Sequence, residues 1–168
     1  MTVIFSFYKI NSITDGQLSL LPSEHLSAAG SSYLPCYRFD IVLGGKTRVG
    51  KIDLRIGAND ASRYIGNIGY TVYQEHRGRR YAARASRLVF PLAKLHGMEE
   101  LLITCLPENI ASYKTCSRLG GEYLGEIDIP TDSAAYRLDR TRVCRFRFDL
   151  SAIGEKSTPA DGAALPED

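Results

Sequence analysis

The residue types best suited to binding chemistry lie in one short stretch, Gln74 to Ala82. Three arginines, Arg77, Arg79 and Arg80, flank or follow Gly78 in it. Clustered guanidinium groups favour a bound phosphate, and a glycine lets the chain turn sharply toward one. The stretch also joins a predicted strand directly to a predicted helix, which adds a second source of affinity for anions.

The start of that helix is itself a candidate anion site. The first backbone N–H groups of a helix have no partner within it, and the helix dipole adds roughly half a positive charge there. Gly78 allows consecutive amides to converge, and the small Ala82 leaves room for a bulky anion. We therefore predict that the backbone from Gly78 through Tyr81 to Ala82 holds a phosphate or pyrophosphate. The alternative is a surface helix whose arginines are merely solvated.

Patterns of apolar residues place this turn within a mixed fold. The predicted strands are 2–10, 38–43, 48–56, 64–73, 101–105, 123–127 and 143–150. The predicted helices are 79–96 and 110–118, with a short one near 23–29 in the otherwise irregular segment 11–35 and a polar loop at 59–63. We predict an α/β (α+β) fold: a mixed, mostly antiparallel twisted sheet of about six strands with helices on both faces.

Several local signals refine this prediction. The paired glycines Gly44 and Gly45 indicate a hairpin between two strands. Gly66 and Gly69 are costly within a strand unless a bulge or a close neighbour requires them. Asn109 is a good N-cap for the second helix. Residues 1–150 are predicted to form a single domain and 151–168, rich in Ala, Gly, Pro and Glu, a disordered tail.

Composition limits the function classes. The formal net charge is only +2, so no global field favours nucleic acid or an anionic membrane. No apolar run approaches the length of a membrane span, and Met1 to Ile10 lack the features of a secretory signal. The four cysteines show no C-x-x-C spacing and favour a reduced, cytoplasmic setting. No metal is predicted, because neither His25 nor His96 has a partner at metal-ligand spacing.

From Asn67 to Gly121 the chain resembles the GNAT acetyltransferase superfamily. The run from Arg77 to Ala82 is similar to that family's R-G-x-G-x-G/A signature. The long helix, the apolar strand LLITC and a second helix follow in the family's order. That second helix opens with Asn109-Ile110-Ala111-Ser112 and ends at Gly120-Gly121.

The resemblance implies an acyl-CoA-dependent N-acyltransferase that moves acetyl from acetyl-CoA to a primary amine by direct transfer in a ternary complex. The pantetheine would lie along the strand at Tyr70 and Val72. The pyrophosphate would sit on the amides from Gly78 to Ala82. Asn109 would reach the pantetheine, and Ser112 or Lys114 would contact the far end of the cofactor.

Two positions depart from the family pattern. Arg80 stands at the signature's second glycine; its amide still donates if it keeps an ordinary helical conformation, and a requirement for positive φ would make it strained. Cys116 stands where many members carry a tyrosine that protonates the departing thiolate, which makes its thiol a candidate general acid. For the base that removes the amine proton, the residues leave three candidates open, Glu75, His76 and Asp53, and a water chain would also serve.

Two other functions fit parts of the sequence. The arginines from Arg77 to Arg87 would suit a nucleic-acid-binding domain. The changes at Arg80 and Cys116 would suit a catalytically silent acyl-CoA-binding or regulatory protein of the same fold. For the enzyme, we expect a small-molecule or peptide amine as acceptor and no nucleic-acid or membrane partner. A homodimer formed through the last strands is left open.

Overall fold

The computed structural model describes residues 5–26 and 34–153. Within them lie eight strands: β1 (Ile13–Thr14), β2 (Leu18–Leu26), β3 (Cys36–Leu43), β4 (Thr47–Arg55), β5 (Ile68–Val72), β6 (Glu100–Cys105), β7 (Glu122–Asp128) and β8 (Arg142–Asp149). The helices in these ranges are α1 (Ser62–Ile65), α2 (Tyr81–Leu95) and α3 (Ile110–Arg118), with a 3-10 turn at Gln74–His76. None of the described helices is long and apolar enough to cross a bilayer.

The strands form one sheet in the order β1-β2-β3-β4-β5-β6-β8-β7. Every neighbouring pair is antiparallel except β5 and β6, which are parallel. The predicted fold class is therefore confirmed. The described residues contain eight strands rather than about six, because β1 and β2 form within a segment that we expected to be irregular.

Two predictions near the N-terminus were wrong. Residues 5–10 of the predicted first strand carry only an isolated bridge residue, and residues 1–4 lie outside the described ranges. Their aromatic side chains pack ring against ring instead, Phe5 on His96 and Phe7 on His25. The helix predicted near 23–29 is strand as far as Leu26, and 27–29 lie outside the described residues. Pro22, which lacks an amide proton, sits where the β2–β3 register shifts.

The middle of the chain follows the predictions more closely. The hairpin at Gly44-Gly45, the helix at 110–118 and most of the helix at 79–96 are confirmed. The loop predicted at 59–63 instead leads into α1, and the strand predicted from residue 64 begins only at Ile68. The predicted tail is described only as far as residue 153, and 154–168 lie outside the described residues.

Helices cover both faces of the sheet. On one face, α2 and α3 bury apolar side chains that include Ala85, Val89 and Cys116 in the main core. A second, smaller cluster on the other face joins α1 to the segment after β7 and includes Val143. Because neighbouring residues of a strand point to opposite faces, Cys144 falls in the main core. We call these two sides the α2/α3 face and the α1 face.

The parallel strands β5 and β6 pair at a single position, Ile68 with Ile103, and separate beyond it. The buried Asn67 fixes this point from three directions. Its side-chain oxygen accepts the Leu102 amide at 2.9 Å, and its side-chain nitrogen donates to the Arg55 carbonyl at 3.1 Å and the Gly57 carbonyl at 2.9 Å.

The position of Gly66, just before β5, requires a glycine. It has a φ of 75°, and an added Cβ would lie 2.9 Å from the carbonyl oxygen of Leu102. The close backbone neighbour that we expected for this glycine is therefore present, and only glycine fits both the left-handed conformation and the contact.

Of the two conformations considered for the residue before α2, the structure has the strained one. Arg80 adopts a left-handed conformation, φ 61° and ψ 22°, rather than an ordinary helical one. It is the one described non-glycine residue with a positive φ. A non-glycine residue pays about 1–2 kcal/mol in this region because its Cβ crowds the backbone. The reversal of the chain between Gly78 and α2 therefore needs this conformation even though the residue is not glycine.

We expect Arg80→Gly to raise the free energy of unfolding by about 1 kcal/mol, because glycine adopts φ near 60° without a Cβ clash. The measurement is chemical denaturation of both proteins. Arg79→Gly is the matched control: its φ is not positive, so the added backbone freedom should lower its stability by up to about 1 kcal/mol. Equal losses in the two variants would contradict the assignment of strain to Arg80.

Candidate active site

The edge of β5 that faces β6 is open beyond Ile68. The Arg55 amide donates to the Asn67 carbonyl at 2.7 Å, and the Tyr73 amide donates to the Val49 carbonyl at 2.9 Å. Backbone groups alternate in direction along a strand, so those of Tyr70 and Val72 point away from β4. Since pairing with β6 has already ended, they border a gap between two strands. Such an edge can take up an extended amide-containing ligand.

A row of backbone amides lies just beyond the end of β5. Within the described part of the chain, the N–H groups from Gly78 to Ala83 have no hydrogen-bond acceptor. Gly78 is left-handed and fully on the surface, and the left-handed Arg80 turns the chain into α2. Successive amides in such turns converge on a concave site for anions. The first turn of α2 also lacks acidic side chains, which would compete with a bound anion.

The arginines near this turn divide into two groups. Arg79, Arg80 and Arg87 are exposed. Arg77 folds back and donates from Nε to the Val72 carbonyl at 3.0 Å, and Arg84 is held in an ion pair with Asp15 at 2.7 Å. The arginines from Arg77 to Arg87 therefore do not form a continuous free stripe along one helix face.

Two of the predicted cofactor residues, Tyr81 and Ala82, present mainly their backbone to the turn. The Tyr81 side chain is buried in the main core, with 7% of its surface exposed, so its amide alone faces the turn. Ala82 is partly exposed at the second position of α2. The turn is therefore lined by backbone amides rather than by bulky side chains.

The start of α3 lies after β6, the other strand of the gap. Asn109 caps this helix as predicted, and its side-chain oxygen accepts the Ser112 amide at 3.1 Å. Cys116 lies two turns further along, with none of its surface exposed. Burial raises the pKa of the Cys116 thiol to about 12. The structure thus brings Ser112 toward the gap and packs Cys116 beneath it.

The side chain of Tyr70 was missed by the sequence analysis, which assigned that residue a backbone role. Its hydroxyl is buried and makes no hydrogen bond of regular geometry among the described residues, although the side chains of Ser112, Thr115 and Cys116 lie close to it. It faces α3, where burial first and then the nearby Cys116 raise its pKa, while Ser112 and Thr115 oppose the shift. A sequence signal did exist, because Tyr70 is two residues from the buried Ile68 and shares its face.

The three predicted bases are not brought together. Both carboxylate oxygens of Asp53 accept hydrogen bonds from Arg38, at 2.8 and 3.0 Å, on the α1 face. His76 and Glu75 lie at the 3-10 turn after β5, with 3.8 Å between His76 Nε2 and a Glu75 oxygen. Glu75 is largely exposed and His76 mostly covered. Asp53 is thus tied into an ion pair, whereas the other two remain free to move.

The remaining polar candidates lie elsewhere. His25 and His96 belong to the aromatic cluster around Tyr37, whose hydroxyl is 2.7 Å from His96 Nε2. Burial lowers the pKa of His96 to about 4. All four cysteines are free and buried. No group of three or more potential metal ligands occurs among the described residues.

Comparison with known proteins agrees with this architecture. A model of the GNAT acetyltransferase domain matches residues 19–122. A search of curated protein sequences finds no match. An acetyltransferase from Agrobacterium tumefaciens superimposes with a TM-score of 0.56 at 19% identity, covering 88% of this chain and 99% of that one.

Two further solved structures are similar in fold. RimL, a ribosomal-protein alpha-N-acetyltransferase in its apo form, has a TM-score of 0.61 at 12% identity and covers 84% of this chain and 98% of its own. MccE, a self-immunity acetyltransferase in complex with acetyl-CoA and AMP, has a TM-score of 0.52 at 16% identity over 68% and 61%. Because the domain model matches more than half of the sequence, this protein belongs to the GNAT acetyltransferase family.

Proposed function

We propose that the protein is an N-acetyltransferase that moves the acetyl group of acetyl-CoA to a primary amine by direct transfer. The observation that supports this most strongly is the continuity between the open edge of β5 and the unpartnered amides from Gly78 to Ala83. An extended pantetheine suits the first and a pyrophosphate suits the second, in the order in which the two occur in coenzyme A.

The residues present fit this cosubstrate. The N–H and carbonyl of Tyr70 and the N–H of Val72 would pair with pantetheine amides, whereas the Val72 carbonyl already accepts from Arg77 Nε. Exposed Arg79 and Arg80 add positive charge beside the pyrophosphate. Ser112 of α3 lies close to the Tyr70 hydroxyl, and Asn109 caps the same helix. Acetyl-CoA supplies an activated thioester, whose thiolate needs a proton as it leaves.

Different groups of the chain would polarise the thioester carbonyl and remove the amine proton. A backbone N–H of Tyr70 or Val72 would polarise the carbonyl as negative charge develops on its oxygen. The amine nitrogen forms the new C–N bond, the C–S bond breaks, and one proton leaves the nitrogen. Glu75 and His76 are the better placed bases, because Asp53 is already engaged by Arg38.

We propose Tyr70 as the group that protonates the thiolate, with Cys116 as the second candidate. The Tyr70 hydroxyl is on the strand proposed to hold the pantetheine, is shielded from water and makes no hydrogen bond of regular geometry among the described residues. Burial keeps its pKa above the usual range, so the proton is present at every working pH. Cys116, behind it, also keeps its proton, but its thiol is fully enclosed by the core.

The other two functions have less support. Two of the arginines that a nucleic-acid surface would need are occupied, Arg77 by the Val72 carbonyl and Arg84 by Asp15. A silent acyl-CoA-binding protein would leave the buried Tyr70 hydroxyl without a role.

The acceptor amine is proposed to be a small molecule or a peptide. RimL, of similar fold, is named for acting on an alpha-amino group.

Ala82→Asp tests the anion site while preserving the fold. An acidic residue in the first turn of α2 should raise stability by about 0.3–1 kcal/mol through the helix dipole. The same charge beside the pyrophosphate should weaken acetyl-CoA binding at least about tenfold. Calorimetric titration with acetyl-CoA and thermal unfolding measure the two effects separately.

Ala58→Asp serves as the control, because it makes the same change of charge at an exposed loop position. It should leave the affinity for acetyl-CoA unchanged. Unaltered binding in Ala82→Asp would show that the amides of this turn do not hold the pyrophosphate.

Tyr70→Phe tests the proton donor. Loss of a general acid typically lowers the rate by about 10²–10⁴-fold, so kcat should fall by at least about a hundredfold with acetyl-CoA binding retained. In the wild type, kcat should not decline from ionisation of Tyr70 up to about pH 10, because the raised pKa keeps the phenol protonated. The release of free thiol with a panel of amines gives both readings.

Cys116→Ala separates the second candidate from the first. If Tyr70 is the donor, this variant should keep kcat within about threefold after correction for any loss of folded protein. A large loss in Cys116→Ala together with near-normal turnover in Tyr70→Phe would reverse the assignment. Normal turnover in both would remove a side-chain acid from the mechanism.

A further inference from the structure

Two arginines meet on the α1 face at the point where β5 and β6 separate. Arg55 comes from the end of β4, and Arg140 comes from the segment between β7 and β8. Neither belongs to the proposed cofactor site, which lies at the β5 edge and the start of α2. The carboxylates closest to them are Asp53, which Arg55 shares with Arg38, and Asp139, whose charge acts on Arg140.

Arg55 lies over the backbone of β5. A Cβ added to Gly69 would be 3.3 and 3.4 Å from its two terminal nitrogens, a contact tighter than usual, so glycine lets the guanidinium lie against the strand. The nearest carboxylate is that of Asp53, 3.6 Å from Nη2, and Arg38 already holds both of its oxygens. The Nη1 atom of Arg55 is buried without a partner among the described residues.

Arg140 reaches the same point on the side of β6. Its Nη2 donates to the Tyr64 carbonyl at 2.5 Å and to the Thr104 hydroxyl at 3.2 Å. Among the described residues, no carboxylate lies within ion-pair distance of it. Burial lowers the pKa of Arg140, and repulsion from Arg55 and Arg137 lowers it further, while Asp139 opposes the shift. Arg140 is thus held by neutral groups, beside an Arg55 whose ion pair with Asp53 is long.

The strand register puts these arginines on either side of the gap. Ile68 pairs with Ile103, so Gly69 and Thr104 are the next residues on β5 and β6. Arg55 contacts the first and Arg140 the second. Because residues alternate along a strand, both lie on the face opposite Ile68, Ile103 and the main core. A surface cleft lies nearby and shares Tyr64, whose carbonyl Arg140 binds; Arg63, Asp60 and Asp132 also line it.

We propose that an anionic group of the acceptor, a carboxylate or a phosphate, binds between Arg55 and Arg140. This inference rests on the proposed acetyl transfer and names the class of amine that receives the acetyl group. Arginine presents parallel N–H groups that match the oxygens of either anion, and the unpartnered Nη1 of Arg55 would gain an acceptor.

The position also suits the chemistry. The thioester is proposed to lie beside Tyr70 or Val72, one to three residues beyond Gly69, which corresponds to roughly 3–10 Å along a strand. An amine separated from its anionic group by a few bonds spans that distance. The acceptor class is therefore a compact molecule with both groups, such as an amino acid, the end of a peptide with a nearby carboxylate, or an aminoalkyl phosphate.

Matched pairs of acceptors test the proposal. The twenty amino acids are compared with their amides, and 2-aminoethyl phosphate with 2-aminoethanol, by the release of thiol from acetyl-CoA. In at least one series the anionic member should be favoured in kcat/KM by at least about tenfold. Arg55→Gln and Arg140→Gln should each reduce that preference at least about tenfold, while Arg140→Lys should retain part of it. The series that shows the preference distinguishes carboxylate from phosphate.

A binding measurement covers the case in which no transfer is seen. Thermal shifts with N-acetylglycine, its amide and 2-aminoethyl phosphate need no turnover. The anionic probes should stabilise the wild type and not Arg140→Gln, whereas Arg142→Gln, which removes an exposed arginine from β8, should respond as the wild type does.

The outcomes separate the two proposals. Loss of acetyl-CoA binding in the wild type would defeat the proposed function, whatever the anionic probes do. Normal acetyl-CoA binding and transfer with equal use of charged and uncharged acceptors would defeat only the anion site. A charge preference that survives in both glutamine variants would also overturn it, since the preference would then arise elsewhere. Unfolding of a variant is checked by its melting temperature, and Arg140→Lys provides the folded substitute.

Discussion

The separation of β5 from β6 is the constraint on which the rest of the site depends. Two parallel neighbours in a sheet would ordinarily continue to pair, but here they share only the Ile68–Ile103 position. Asn67 sets where pairing ends, because its amide side chain bonds to the strands on both sides. On the α2/α3 face of the gap, the buried hydroxyl of Tyr70 faces α3. On the α1 face it is flanked by Arg55 and Arg140.

A second constraint acts at the start of α2. The chain must turn from the end of β5 into a long helix within a few residues, and it does so through left-handed conformations at Gly78 and Arg80. This turn leaves six successive amides, from Gly78 to Ala83, without acceptors in the described chain. The strain at Arg80 accompanies an outward-facing row of donors, and local strain of this kind is typical of binding sites.

The sequence allowed the overall architecture to be predicted, since strand alternation, the helix period and the Asn109 cap are local signals. The prediction failed where long-range contacts decide the secondary structure. Strand β2 is an example, because it forms by pairing with β3 and not through its own composition. In the site, the turn from Arg77 to Ala82 could be recognised, but the conformation of Arg80 could not. The roles of Tyr70 and Arg140 depend on α3 and β6, which are distant in sequence from each.

Amide hydrogen exchange with and without coenzyme A tests the central claim most directly. Bound coenzyme A should slow exchange at the amides from Gly78 to Ala83 and at Tyr70 and Val72, with little change in β1 or β7. Protection confined to other parts of the chain, or unchanged exchange along the end of β5 and the start of α2 under saturating ligand, would contradict the account.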